Sequence, residues 1–387
     1  MSKDLFPSTH PLTPPQSMEE LAAWFRLLRS RRVGPTTFYR LMQEHGSIDA
    51  ALAALPEIAK AAGVKNYELC TPSAVQAELN AGRMAGATPI PFGTVGYPEK
   101  LAELPDAPPI VWTLGNPELL NKPMIALVGA RNASSLGTRM ARQLASGLAE
   151  AGFIVVSGLA RGIDAAAHIA AKDSGTLAVM AGGVDVVYPA ENAVLAQEIL
   201  DQGLRLSEQP MGLQPIARHF PQRNRIISGI SQAVVVVEAA ARSGSLITAK
   251  NALDQGRDVL VVPGHPFDAR ASGCNMLIRD GAVLIRSGAD VAEALARPMA
   301  TDSPELPLEP PAPAAAPTAS RGCPAGSGPS EGLPSHILGL LSPTPIAEDI
   351  LIREVGAPAP HVMAIIAELA MAGRVHRQPG GLVSLAQ

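Results

Sequence analysis

Six apolar runs recur along the middle of the chain, at residues 124–130, 153–157, 176–180, 233–237, 258–262 and 282–285. Each is continuous rather than alternating and rich in Val and Ile, as strands of a parallel sheet are when helices cover both faces. Segments of helical spacing fall between them, at 136–151, 164–173, 223–230, 245–255 and 275–279. Strand and helix alternating at this spacing predict a doubly wound α/β domain over residues 124–297.

The flanks read differently. Residues 17–72 are all-helical in pattern, with Leu21, Trp24, Phe25, Leu27 and Leu28 on one face. There Val33-Gly34-Pro35 predicts a tight turn into a second helix at 36–44. Residues 73–123 form a segment leading into the α/β domain. Residues 333–387 show three short helical patterns, then a hairpin with a Gly-rich tip at 373–383, which predicts a winged helix. Between Pro298 and Pro334 lie ten prolines and four glycines, so 298–332 is expected to be an extended tether. Residues 1–16, proline-rich from 7 to 15, are expected to be a disordered terminus.

Composition narrows the chemistry. At 387 residues the chain has room for two or three domains, and with 3% aromatic residues its core must be aliphatic. The formal charge of −4 excludes a globally basic nucleic-acid binder but leaves room for a local basic site. Cys70, Cys274 and Cys323 lie far apart, and neither they nor the eight histidines show metal-ligand spacing. No apolar stretch has the length of a signal peptide or membrane helix. These features lead us to expect a cytoplasmic protein with no metal or other cofactor and no membrane partner.

Three glycine-containing turns could carry anions. Gly129-Ala130-Arg131-Asn132-Ala133-Ser134 joins the first strand to a helix, whose N-terminal N–H groups favour an anion. Arg131 stands where the dinucleotide fingerprint requires its second glycine, and no acidic residue closes the second strand, so the pattern disfavours an NAD site. Arg131 and Ser134 suit a single phosphate instead, although Ser134 could equally be a helix cap. The second turn, Ser157-Gly158-Leu159-Ala160-Arg161-Gly162, enters a helix that carries Asp164 and His168 on one face. They could be a catalytic pair, but with no nucleophile evident the structural reading is preferred. The third turn, Ser243-Gly244-Ser245, precedes Thr248. Between Arg218 and Lys250 there are five cations and one acid, Glu238. Within that span, Arg218, Arg223 and Arg225 flank Phe220 beside Pro221. Cations around one aromatic in a proline-bounded loop supply phosphate attraction and base stacking, the two needs of a single-strand binder. At least one of Arg223 and Arg225 is expected to be structural.

Six ordered blocks, VGARNASSLG, SGLARGIDAAAH, AGGVDVVYPAEN, FPQRNRIISGIS, VVVVEAAARSGSLITAKNAL and VPGHP with GCNMLIRDGA, together resemble the DprA/Smf family of bacterial DNA-processing proteins. Residues 88–116 are similar to the segment that precedes that family's Rossmann-like domain. The resemblance implies a Rossmann-like sheet flanked by an N-terminal helical module, SAM- or helix-hairpin-helix-like, and a C-terminal winged helix. It further implies a protein that binds and protects single-stranded DNA, helps load the RecA recombinase in recombination and natural transformation, and dimerises through the Rossmann-like domain. By the same resemblance Arg131, Ser157, Gly158, Arg161, Phe220, Gly244 and Ser245 would line the DNA pocket. Some relatives have a lysine shortly before the aromatic, where the nearest cation here is Arg218.

Two other classes fit the sequence less well. Nucleotide-ribose hydrolases of the same superfamily carry a P-G-G-x-G-T-x-x-E loop, but residues 242–248 lack its double glycine and its acid. A duplex regulator acting through the winged helix is disfavoured because its recognition helix, 358–371, has no Lys or Arg.

Overall fold

The computed structural model describes residues 13–296, 333–341, 346–378 and 381–385. The chain divides into two units, Met1–Ser303 and Pro304–Gln387. The tether expected at 298–332 lies outside the described residues. Of the terminus expected to be disordered, only 13–16 are described, and there Pro14 packs beside Gly93 while the Gln16 amide donates to Glu20 at 2.6 Å.

The first unit opens with four helices, α1 (Met18–Leu28), α2 (Pro35–His45), α3 (Ile48–Ala61) and α4 (Pro72–Ala85). Strand β1 (Thr88–Pro91), short α5 (Glu99–Ala102) and β2 (Ile110–Gly115) follow. The alternating series comes next. It begins β3 (Met124–Val128), α6 (Ser135–Glu150), β4 (Ile154–Ser157), α7 (Ile163–Ala171), β5 (Thr176–Val179), α8 (Ala193–Gln202), β6 (Leu204–Ser207). It continues α9 (His219–Ile230), β7 (Ala233–Val236), α10 (Ser245–Asp254), β8 (Asp258–Val261), α11 (Ser272–Arg279), β9 (Val283–Leu284), α12 (Gly288–Ala296).

All nine strands join one sheet in the order β1-β2-β6-β5-β4-β3-β7-β8-β9. From β6 to β9 the pairing is parallel, as in a Rossmann-like fold. The sheet is mixed rather than wholly parallel, because β2 runs antiparallel to β6 and β1 antiparallel to β2. Strands β1, β2 and β6 and helix α8 lie outside the runs read from the sequence. The chain leaves β3 toward β4, β5 and β6, then returns to β7 on the other side of β3. The crevice where α/β folds hold ligands therefore opens above the β3–β7 junction.

Alternation within β3 explains why its run is continuous. Met124, Ala126 and Val128 face one core layer with Ile226, Ile227 and Ala249, whereas Ile125 and Leu127 face another with Leu144, Leu148 and Ala167. The N-terminal helices share the first layer through Leu21, Trp24, Phe25 and Phe38. Trp112 of β2 is the joint: its ring packs 5.5 Å from that of Phe25, and its indole N–H donates to Glu78 at 2.9 Å. Gly82 of α4 lies so close that a Cβ there would strike the indole.

The second unit has α13 (Leu333–Leu340), β10 (Ile346–Ala347), α14 (Glu348–Val355), α15 (Ala359–Met371), β11 (Val375–Gln378) and β12 (Leu382–Leu385). Its strands pair as β10-β12-β11 against helices whose core includes Ile337, Leu351, Ile366 and Val383, a winged-helix arrangement. Among the described residues no single helix is long and apolar enough to cross a membrane.

Candidate nucleic-acid interface

The loop after β3 has its anion place already filled. Ser134 caps α6 by accepting from the Gly137 N–H at 2.9 Å. Its own hydroxyl donates to the Glu238 carboxylate at 2.7 Å, and its N–H reaches both oxygens of that carboxylate at 3.2 Å. Glu238 is buried, and a Cβ on Gly137 would overlap its carboxylate. The helix N-terminus that attracts phosphate in dinucleotide enzymes thus holds an internal anion. Ser134, expected to help hold phosphate, is engaged inside the protein.

Arg131 turns the other way. It is exposed, makes no ion pair among the described residues, and lays its guanidinium 5.2 Å from the centroid of the Phe220 ring. Phe220 does not sit in a loop, as its flanking proline suggested. Helix α9 starts at His219 with Arg218 as its cap, so Phe220 and Pro221 belong to the first turn, where proline costs no hydrogen bond. The ring is half-buried and packs 5.6 Å from Tyr188, which is about half exposed. Sequence reasoning passed over Tyr188, although an aromatic beside a proline in so aromatic-poor a chain was a usable signal. Arg218 is exposed, and so is Arg161, which faces Glu191 at 3.3 Å.

Other expected contacts lie beneath this surface. Ser157 is buried and donates to the Leu127 carbonyl at 2.6 Å. Arg223 is buried against Gly158, where a Cβ would land on its guanidinium, and it donates to the Val179 carbonyl at 3.0 Å. Burial pushes that guanidinium down to about 10, opposed by the nearby Asp164 charge. Gly162 has φ +72°, and a Cβ on it would collide with the Ala130 carbonyl, so glycine is required where the loops after β3 and β4 touch.

Asp164 and His168 serve the same loop rather than each other. The carboxylate accepts from the amides of Gly158 (3.1 Å) and Ala160 (3.4 Å), and burial raises its pKa. His168 Nε2 accepts from the Leu159 amide at 3.3 Å, which leaves Nδ1–H to donate to Thr176 Oγ1 at 2.9 Å. Burial pushes this imidazole down to about 3, so it is neutral.

Arg225 leaves the interface altogether. Two residues along a helix are turned about 200° apart, so when Arg223 points inward at Gly158, Arg225 points elsewhere. It pairs with Glu208 and with Asp106 at 3.4 Å, and donates to the Asp106 carbonyl at 2.8 Å. In the third loop Gly244 is open, with nothing within 4 Å of an added Cβ, whereas the Ser243 and Ser245 hydroxyls bond each other at 2.7 Å and Thr248 is buried. The fold therefore gathers Arg131, Phe220 and Tyr188, with Arg161, Arg218 and Gly244 on the same carboxyl edge of the sheet. Ser157, Arg223 and Thr248 are buried, and the partly exposed Ser134 and Arg225 are engaged by the carboxylates of Glu238 and Glu208. The result is an open ledge rather than an enclosed pocket.

These features define a Rossmann-like α/β protein whose dinucleotide crevice is closed from within and whose exposed chemistry is cation beside aromatic. The family model for DNA recombination-mediator protein A matches residues 89–296, with a DprA-like N-terminal HHH domain at 18–81 and a DprA winged helix domain at 309–381. The chain belongs to this DprA/Smf family of DNA-binding recombination mediators. It is 47% identical over 197 residues to DNA processing protein DprA of Streptococcus pneumoniae, covering 50% of this chain and 70% of that one. The solved S. pneumoniae structure aligns with a TM-score of 0.60 at 35% identity, over 70% of this chain and 97% of that one. A structure of the Helicobacter pylori protein, described for its single-stranded DNA binding mode, aligns with a TM-score of 0.50 at 28% identity, over 54% of this chain and 95% of that one.

Proposed function

We propose that the protein binds single-stranded DNA along the carboxyl edge of its sheet and hands the strand to the RecA recombinase during recombination and natural transformation. The observation that carries this reading is the Arg131 guanidinium over the half-buried Phe220 ring with Tyr188 alongside. A cation for the backbone beside aromatic faces for the bases, on an open ledge, is the arrangement that sequence-tolerant strand binding uses. The relation to the H. pylori protein supports the same reading. Arg131, Arg161, Gly162, Arg218, Phe220, Ser243 and Gly244 form the proposed ledge. Ser134, Ser157, Gly158, Arg223, Ser245 and Thr248 support it from beneath. Dimerisation through the α/β unit and assistance to RecA follow from the family resemblance. Anisotropy titrations of single-stranded and duplex oligonucleotides over a range of salt test the core claim. Single strands should bind more tightly, with affinity falling steeply as salt rises. Equal or tighter binding of duplex would overturn it. Faster RecA filament formation on a coated single strand is the expected second outcome.

A further inference from the structure

Past the end of β8, the loop 263–271 holds Phe267 out at 93% exposure, and it alone of the described phenylalanines is exposed. The loop is built to hold it there. Asn275 closes the neck by bonding both the amide (3.2 Å) and the carbonyl (3.0 Å) of Gly264, and a Cβ on Gly264 would overlap that of Ala271. Turns from Asp268 N–H to the His265 carbonyl and from Ala271 N–H to the Asp268 carbonyl, both 2.9 Å, stiffen the tip that follows Pro263 and Pro266. The His265 ring lies 5.6 Å from the Phe267 ring with 40° between their planes.

This loop is joined to the Arg131–Phe220 ledge by a chain of polar contacts. The Ala241 N–H donates to Ser272 at 3.0 Å, and the Gly273 N–H to the Ala239 carbonyl at 2.8 Å. Arg270 stands 3.7 Å from Glu238, which in turn holds Ser134 in the loop that carries Arg131. Strands β3 and β8 are two steps apart, so their loops are separated by about 10 Å along one edge. Exposed Arg242 and the half-exposed Arg270 lie along that interval.

We infer that Phe267 is a second base-stacking station for the same single strand, reached after it crosses the loop following β7. This rests on the strand-binding reading of the ledge. A base suits the position because the ring is fully presented to solvent, its aromatic neighbour is His265, and the flanking Asp268 and Arg270 are polar. Asp268 and Glu238 offset the charge of Arg270, so this station adds stacking without adding phosphate attraction.

The test compares oligothymidylates of about four and about twelve nucleotides, bracketing a one-station and a two-station strand. Phe267→Ala should bind the short strand as the parent does and lose about tenfold on the long one, with the salt slope unchanged. Phe267→Trp should restore the affinity. Phe220→Ala should weaken both lengths. Parental affinity of Phe267→Ala at both lengths, while Phe220→Ala is weakened, would overturn the second station and leave the ledge standing. A change confined to sedimentation-measured self-association would overturn it in favour of contact with a second copy. Parental affinity of Phe220→Ala would overturn the ledge, and the second station with it.

Discussion

Replacing Phe220 with alanine separates the two ways in which the ledge can hold a strand. The ring lies 5.2 Å from the Arg131 guanidinium and 5.6 Å from the Tyr188 ring, and it is only half-buried. A stacked base lost from an aromatic platform costs ~1–3 kcal/mol, or about 5- to 150-fold in affinity. A fully buried Phe would cost ~3–5 kcal/mol of folding free energy on truncation, so half burial sets the stability loss at about 1.5–2.5 kcal/mol. A fall of that size lowers Tm by only a few degrees in a unit this large, on the order of 2–4 °C per kcal/mol. Anisotropy with a labelled single strand at several salt concentrations, run beside a thermal melt, reads both effects. The salt slope should stay near that of the parent, because no phosphate contact leaves with the ring. Arg131→Ala should instead flatten the slope by ~0.7, the value for one phosphate contact on a single strand. In the double variant the two losses should fall short of additivity by about 0.5–1 kcal/mol, the strength of an exposed cation–π contact. A strongly depressed Tm with parental affinity for the folded fraction would refute the stacking role and reduce the ledge to electrostatics.

Glu238→Ala should destabilise the α/β unit by about 2–4 kcal/mol, because Ser134 loses a charged acceptor for both its N–H and its hydroxyl inside the fold. An unchanged urea midpoint would refute the internal-anion account. Arg225→Ala should cost about 3–5 kcal/mol of stability by leaving the Glu208 carboxylate buried without its partner, while the salt slope of DNA binding stays put. A flattened slope would put Arg225 back on the strand. For His168 the ordinary imidazole value of 6.5 is depressed to about 3 in the folded state, so the unfolded chain takes up the proton first. Stability is full above pH 6.5 and falls as pH drops toward 3, by up to about 1.4 kcal/mol per pH unit. His168→Gln should lose that slope relative to the parent. The comparison also cancels the raised Asp164, which acts with the opposite sign. Equal acid slopes in the two proteins would show that the imidazole is not held neutral.

The central strands β3, β4, β5, β7 and β8 were legible because burial on both faces removes the polar positions that make other strands ambiguous. Glycine turns following these strands were legible for a related reason, since backbone geometry there excludes most side chains. Gly162, with φ +72° against the Ala130 carbonyl, is the plainest instance. Local pattern could not reveal β6, whose four residues include the buried Arg205, or the antiparallel β1–β2 extension beside it. Those strands owe their existence to partners distant in the chain. The direction of each arginine was equally hidden. Arg223 and Arg225 read alike in sequence, but about 100° of rotation per helical residue sends one beneath Gly158 and the other to Glu208. Ser134 was recognised as a cap, yet its anion is supplied by Glu238, 104 residues further along. Which helices and strands form is written in short-range spacing. Which charges stay free to meet a ligand depends on the long-range contacts that satisfy the others, and only the folded chain brings those together.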